Sequence, residues 1–482
     1  MKKDVKKLRN NTILMIIGSF SSKFLVFLLL PFYTHVLSTT EYGISDIVFT
    51  TANLLYPVFS FLMTESILRF SLDTNEHNDR KNIFSTAIYI SGLGFIVLLL
   101  LSPIFWFIEI FKNYYVFFML YYFSMLLYLL FSQFAKGINQ VKEFSLAGIL
   151  NTFLTICFNL IFLLIFDLGI NGYLLAYILG SFLSALFLFI KLKYYNYLIP
   201  PKKVNKKNAK KMLAYSLPMI PNSISWWISN SSDKYMISYF CDVAVNGIYS
   251  ASYKIPTLLT TFSSVFVNAW QLSAVDEFGS EQNRKFYKVV YEKYAALNII
   301  IVTLLIALVK IISMFLFDQA YYTAWMPASI LLLAYVFNTA SGFLGTIYTS
   351  AKKTGNLFIS TLLAAILNIV FNFILIKQIG MTGAAIATLI SYFFVWLYRL
   401  INSKKIIDIQ IELKSNIISY FLIILEIFIL FYTENLIQII LLALIVSIIF
   451  LINKRIIIEI YHLIFDKLKI VLKKYLKKAI KS

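Results

Sequence analysis

ILMIIGSFSSKFLVFLLLPFYTHV, residues Ile13–Val36, decides the class of this protein. It is long and apolar enough to cross a bilayer core as helix, which takes about twenty residues. Comparable runs recur along the whole chain, near 44–68, 83–108, 114–135, 145–166, 172–190, 212–230, 247–273, 290–309, 326–349, 357–376, 382–400, 416–432 and 437–453. The first run is followed by further spans after short loops, so it reads as a retained span rather than a removable signal peptide. Of the 482 residues, 60% are hydrophobic and 14% charged, with a mean hydropathy of +0.79. A soluble chain of this length needs far more polar surface to cover its core.

The net charge of +20 raises the question of nucleic acid, because basic patches bind phosphate. Position decides against it. With the N-terminus in the cytoplasm, the outer segments hold only Lys112, Lys234, Lys310 and Lys377, and most of the 43 Lys and Arg fall in inner segments. That asymmetry is the positive-inside rule, and it sets both termini in the cytoplasm. The tail lysines Lys467, Lys469, Lys473, Lys474, Lys477, Lys478 and Lys481 suit anionic lipid headgroups. Cys157 and Cys241 lie far apart in this topology, and His35, His77 and His462 have no ligand spacing, so neither a disulfide nor a metal or other cofactor is expected.

The outer loops are short, the longest being 231–246 and 310–325. The largest inner connector, Lys191–Lys211, with Pro200-Pro201 and a cluster of lysines, reads as a solvated hinge. It divides the chain where an internal repeat divides it. AKGINQVKEFSLAGILN from Ala135 resembles AKKTGNLFISTLLAAILN from Ala351, and Gly169, Gly172 and Ala176 match Gly380, Gly383 and Ala387. The offset corresponds to six spans, an even number, so the halves share orientation, as in transporters built of two rocking bundles. The expected architecture is an all-α integral membrane protein of about fourteen transmembrane helices. Two parallel six-helix bundles, 1–200 and 201–402, surround a central cavity, and a C-terminal pair of helices with a basic tail occupies 403–482.

A strongly polar side chain at the centre of a span costs about 2.5–3.5 kcal/mol, so such groups face a bundle interior or a wet cavity. Four spans carry polar stripes at helical spacing: Ser19 and Lys23; Asp46, Thr50, Asn53, Pro57, Ser60 and Thr64; Asn222, Trp226, Ser229 and Asp233; Ser250, Lys254, Thr257, Thr261 and Asn268. These are the first two spans of each half, which points to one shared polar cavity. A lone Ser, Thr or Asn is more often bonded to backbone or to a neighbouring helix, worth about 0.6–2 kcal/mol. On that ground Asn151, Asn159, Asn368 and Asn372 read as interhelical bonds. For Lys23 and Lys254 the balance reverses, because a mid-span cation needs an anion, water or carbonyls. Glu65 and Arg69, one turn apart, suggest a structural ion pair. Glu426 fits none of these groups. Pro31, Pro57, Pro218, Pro221 and Pro256 each remove a helix hydrogen bond and permit a bend. Trp226 and Trp227 suit either interfacial anchoring or stacking on sugar.

The stretch NNTILMIIGSFSSKFLVFLLLPFYTHVLSTTEYGISDIVFT (residues 10–50), followed by TESILRFSLD (Thr64–Asp73), resembles the Wzx-type polysaccharide flippases. These belong to one superfamily with the lipid II flippases and the multidrug and toxin extruders. The likeness extends over most of the chain: the number of spans, the division after the sixth, and the Tyr42-Gly43 opening of the second. It implies two six-helix bundles around a V-shaped cavity and a multi-pass protein of the bacterial cytoplasmic membrane. The implied substrate is an undecaprenyl-diphosphate-linked oligosaccharide, turned to the outer leaflet for capsule, exopolysaccharide or O-antigen synthesis.

That substrate has an anionic diphosphate, for which Lys23 and Lys254 are the candidate ligands. Asp46, Thr50, Asn53, Asn222, Trp226, Ser229, Asp233, Ser250, Thr257 and Thr261 are candidates to line the cavity around the sugars. Lysines in place of the arginines prominent in the lipid II branch leave point-charge attraction rather than bidentate binding. A coupling H⁺ or Na⁺ on Asp46 or Asp233, and polymerase and glycosyltransferase partners, fit the same reading. The closest alternative is a lipid II flippase; a multidrug exporter of the same fold would favour an acidic cavity, whereas the central excess here is basic. A membrane-embedded polymerase, the enzyme alternative, would be expected to show a large outer loop or a catalytic carboxylate motif.

Overall fold

The computed structural model describes residues 27–276, 283–351, 353–410 and 413–459, and these are helical throughout, with no strand among them. The elements are α1 (Leu30–Val36), α2 (Thr39–Phe59), α3 (Met63–Leu72), α4 (His77–Leu101), α5 (Glu109–Gly137), α6 (Val141–Leu160), α7 (Gly169–Lys191), α8 (Lys206–Ser216), α9 (Ile220–Phe240), α10 (Val243–Ser252), α11 (Lys254–Asp276), α12 (Asn283–Ala307), α13 (Val309–Leu316), α14 (Trp325–Ser350), α15 (Thr354–Ser403), α16 (Lys414–Tyr432) and α17 (Asn435–Ile452). Among the described residues nine helices are long and apolar enough to cross a membrane, ten when the bent pair α2 and α3 counts as one span. In lipid every backbone polar group must be satisfied within the chain, which helix alone achieves without a closed barrel.

Breaks fall where the chemistry allows them. Pro57 lies near the end of α2, and beyond it Phe61 and Leu62 take left-handed backbone angles (φ 51° and 48°), turning α3 by 57° from α2. Pro218 and Pro221 stand at the start of α9, and Pro256 in the first turn of α11. The repeat seen in the sequence has a counterpart in backbone conformation. Gly169 and Gly380, matched by that repeat, both adopt positive φ (50° and 57°) where the chain turns between paired helices. In α15 the turn at Ile379-Gly380 folds the helix back, so that Arg399 reaches Ser360, which a straight helix would hold about 58 Å away.

The chain divides into two compact units: residues up to Lys254 with Met314–Ala324 and Thr361–Ala387, and Ile255–Ser313 with Trp325–Ser360 and Thr388 onward. In the first unit the core is aromatic, with Phe84, Phe118, Tyr122 and Phe134 fully buried between α4 and α5. Between membrane helices such packing supplies the attraction, because lipid tails are as apolar as the side chains.

The connector 191–211 is not the solvated hinge expected from its lysines. Tyr194 is fully buried against Phe84, Phe131 and Phe134 and donates its hydroxyl to the Phe131 carbonyl (2.9 Å). The Ser85 hydroxyl donates to Tyr197 O (3.0 Å) and accepts from Ile199 N–H (2.9 Å), while Tyr89 donates to Ile199 O (2.7 Å). Six residues on, the Asn205 side chain caps α8, and Ser66 donates to Met212 O (2.7 Å). The segment is a strap tied across α4 and α5. Tyr194→Ala should lower the stability of the purified protein by about 3–5 kcal/mol, read as a fall in thermal midpoint in detergent.

In the second unit α14 is buried along nearly all its length. Arg399 is buried, donating Nε to Ser360 Oγ (2.9 Å) and Nη1 to Ser341 O (3.0 Å). Glu426, unplaced from the sequence, is fully buried and accepts from the Thr303 hydroxyl (2.7 Å), which ties α16 to α12.

Candidate functional site

The polar stripe on α2 and the stripe on α9 meet in the first unit. Helix α9 runs to Phe240, ten residues beyond the end expected for this span, so Asp233 and Lys234 lie on a helix rather than in an outer loop. Lys234 Nζ donates to Asp46 Oδ1 at 2.8 Å, with both side chains mostly buried (14% and 17% exposed). Asp46 Oδ2 is buried with no hydrogen-bond partner among the described residues. Asp233, fully buried, is saturated instead: Oδ2 accepts from the Tyr249 and Tyr253 hydroxyls (2.6 and 2.7 Å), and Oδ1 accepts from the Lys234 backbone N–H (3.0 Å). The Lys234 ammonium also stands 5.8 Å from the Tyr253 ring centroid. Two carboxylates and one ammonium are thus held among tyrosines, in a setting where an unpaired charge is costly.

Beside this cluster α2 and α10 touch backbone to backbone. A Cβ on Gly43 would lie 2.1 Å from Val243 O, and one on Gly247 would lie 2.0 Å from Thr39 O. Only glycine at both positions allows this approach, and Asn246 Nδ2 adds a bond to Gly43 O (3.3 Å). The Tyr42-Gly43 pair noted in the sequence therefore has a packing reason. The neighbouring end of α1 is tied to the 314–324 segment: Asp318 N–H donates to Thr34 Oγ1 (3.2 Å), and Asp318 pairs with His35 Nδ1 (3.2 Å). The hydrogen bond from His35 is the main cause that holds the Asp318 carboxyl below its usual range.

The remaining expected residues divide by what they bond. Ser229 donates to Ser225 O (2.9 Å), Thr261 to Thr257 O (2.8 Å), and Asn53 Nδ2 to Phe49 O (2.8 Å), each within its own helix. Ser250 is buried with its hydroxyl 3.5 Å from Asn246 Oδ1. Thr50 is buried, and its carbonyl accepts from Trp227 Nε1 (2.9 Å), so Trp227 joins α9 to α2 while Trp226 is 46% exposed. Tyr235 and Thr51 join the same helices through their hydroxyls. Asn222 and Lys254 are half-buried and Thr257 is exposed. Lys23 and the tail lysines 467–481 lie outside the described residues. Asn159 reaches Tyr33 (3.1 Å) and Asn368 bonds Ser232 (3.0 Å), which fits interhelical bonding.

The expected Glu65–Arg69 pair is replaced. Arg69 Nη1 bonds Asp73 Oδ1 (2.5 Å), because Asp73 shares the exposed end of α3 with Arg69 while Glu65 sits half-buried a turn earlier. Sequence reading missed Lys234, Tyr249 and Tyr253. The available signal was the stripe itself, whose spacing from Asn222 to Asp233 continues the helix past 230.

Comparison with known proteins agrees with this architecture. The model of the polysaccharide biosynthesis protein family matches residues 8–270, more than half of the chain and all of the helices that carry the cluster. An uncharacterised membrane protein of Methanocaldococcus jannaschii is 25% identical over 301 residues, 58% of this chain and 56% of that protein, so the chain spans little more than half of that relative. Among solved structures, a lipid II flippase MurJ in an inward closed conformation has a TM-score of 0.72 at 16% identity, covering 92% of this chain and 100% of that one. An inward-facing multidrug resistance MATE family transporter has a TM-score of 0.62 at 13% identity, covering 80% and 98%. A MOP superfamily transporter from Pyrococcus furiosus has a TM-score of 0.59 at 15% identity, covering 84% and 97%. The chain has the fold these transporters share, and by its own sequence it belongs to the polysaccharide biosynthesis protein family.

Proposed function

We propose that this protein carries an undecaprenyl-diphosphate-linked oligosaccharide from the cytoplasmic to the outer leaflet by alternating access. The observation that carries the reading is the closure of α2 on α10 at Gly43 and Gly247, beside a buried Asp46–Lys234 ion pair. Under the positive-inside topology this is the outer end of both helices. A closed outer end built on a pair of charges is a contact that can be exchanged. An arriving diphosphate competes with Asp46 for cations, and its binding then favours one arrangement over the other by its differential affinity.

In this reading Lys23 and Lys254 hold the diphosphate, one from each half. The polar faces of α2 and α9 receive the glycan, with exposed Trp226 offering a stacking face. Asp46, with one oxygen unpartnered among the described residues, is the better of the two acids to take a coupling H⁺ or Na⁺, since Asp233 is already saturated by two tyrosines. The double variant Lys23→Ala with Lys254→Ala is expected to lose translocation while keeping its level in the membrane. Normal complementation of a flippase-deficient strain by that variant would remove the lysine assignment.

A second reading, transport of lipid II, is favoured by the likeness to a lipid II flippase over the whole of that chain. The two separate on depletion of the protein from its host. Accumulation of a glycan-diphospholipid on the inner leaflet supports the first, and accumulation of lipid II supports the second.

A further inference from the structure

A groove of about 570 Å³ opens on the second unit between α14, the second half of α15, and α16. Its floor is an aromatic triad, Phe337, Trp396 and Tyr420, with ring centroids 4.8–5.9 Å apart. Its rim is exposed, with Phe394 at 41%, Ile417 at 55% and Phe421 at 66%. Trp396 donates its indole N–H to Tyr291 (2.9 Å) and the Tyr420 hydroxyl is buried, so both rings line the groove as hydrocarbon. The lining runs from Leu389 to Leu400 on one wall and from Ile424 to Leu413 on the other. Both walls are about 16 Å long at 1.5 Å per residue. That is close to half of the roughly 30 Å hydrocarbon core, the depth of one leaflet.

Charge marks which leaflet. Lys404 and Lys405 follow Leu400 by about a turn, and Lys414 adjoins Leu413 at the same end of the groove, all three exposed. The described carboxylate nearest in sequence, Asp408, accepts from the Gln410 backbone N–H (3.4 Å). Basic residues at the mouth of an apolar cleft between membrane helices bind lipid phosphates.

We propose that this groove is a binding site for an anionic phospholipid of the cytoplasmic leaflet, one acyl chain lying along the aromatic floor and the phosphate at Lys404, Lys405 and Lys414. The volume distinguishes this occupant from the transported lipid. At roughly 30 Å³ for a group the size of a water molecule, and a methylene is about that size, the groove holds about nineteen such groups. That matches one acyl chain and falls far short of an undecaprenyl chain. The site stands on the second unit alone and does not depend on which glycan the protein carries.

Bromine quenching of Trp396 tests it. The full-length protein is placed in nanodiscs of phosphatidylcholine containing a small, varied fraction of dibrominated phosphatidylglycerol, or of dibrominated phosphatidylcholine as control. The Trp396 contribution is the part of the quenching lost in Trp396→Phe. Phosphatidylglycerol should quench Trp396 at a mole fraction roughly tenfold lower than phosphatidylcholine does, and Lys404→Gln with Lys405→Gln and Lys414→Gln should abolish that preference. These three exposed lysines can be exchanged without disturbing a packed interior. Equal quenching by both lipids, or a preference that survives the triple variant, overturns the proposal. Displacement of the brominated phosphatidylglycerol by equimolar undecaprenyl diphosphate also overturns it, because the groove then belongs to the transported lipid. Native mass spectrometry adds an independent reading: one phosphatidylglycerol retained by the parent protein and none by the triple variant.

Discussion

Lys234→Met is expected to lose transport in a complementation assay and to lower the thermal midpoint of the purified protein, a cost of about 3–5 kcal/mol. The reason lies in what is left behind. Asp46 has Lys234 on Oδ1 and no partner among the described residues on Oδ2, so removing the ammonium strands a buried carboxylate. The tyrosines cannot take over, since Tyr249 and Tyr253 already donate to Asp233. Pairing Lys234→Met with Asp46→Leu should recover most of the stability, because replacing both members of a buried pair by apolar groups is often near neutral. It should not recover transport if the pair is exchanged during the cycle. A double-mutant cycle on stability, with complementation scored in parallel, separates the two roles. Additive stability effects would mean that the contact is not made in the membrane.

Gly247→Ala is expected to have an effect just as large from a single methyl group. Its Cβ would lie 2.0 Å from the Thr39 carbonyl oxygen, and both partners are helical backbone that cannot rotate aside. α2 and α10 must then part, and the arrangement in which they touch is lost. The expected result is a protein that inserts normally but no longer complements a flippase-deficient strain. A cysteine introduced at Thr39, modified slowly by a membrane-impermeant thiol reagent in the parent, should react rapidly in the variant; Cys241 is exposed and is replaced by serine in both backgrounds. Gly43→Ala should act alike, and the two together should cost little more than one, because they open the same contact. Unchanged labelling at residue 39 in Gly247→Ala would show that the contact does not hold this end closed.

Much of this was legible in the sequence, and the failures have a common cause. Span length, the polar stripes and the repeat follow from periodicity and from glycine, which local chemistry sets, and Gly169 and Gly380 take matching backbone conformations. The far end of α9 was missed because a hydropathy window stops where serines, asparagines and charges accumulate, although nothing there breaks the helix. Tyr194 was missed because lysines dominate the composition of its connector, while the partners that bury it, Phe84 and Phe131, are far away in sequence. Arg69 had acids one turn to either side, at Glu65 and Asp73, and spacing alone is symmetric between them. Burial breaks that symmetry, because Asp73 is exposed beside Arg69 while Glu65 is half-buried.

The strap across α4 and α5 also bears on how the protein can be cut and reassembled. Separate expression of two halves is a common way to ask whether a repeat folds by itself. The lysine-rich stretch invites a division after Lys191, but that gives the second fragment Tyr194 and Ile199, whose partners are all in the first. A division after Lys203 leaves the tyrosine anchor with the fragment that buries it and starts the second fragment at the Asn205 cap of α8. Fragments divided at the later point are the pair expected to assemble when produced together.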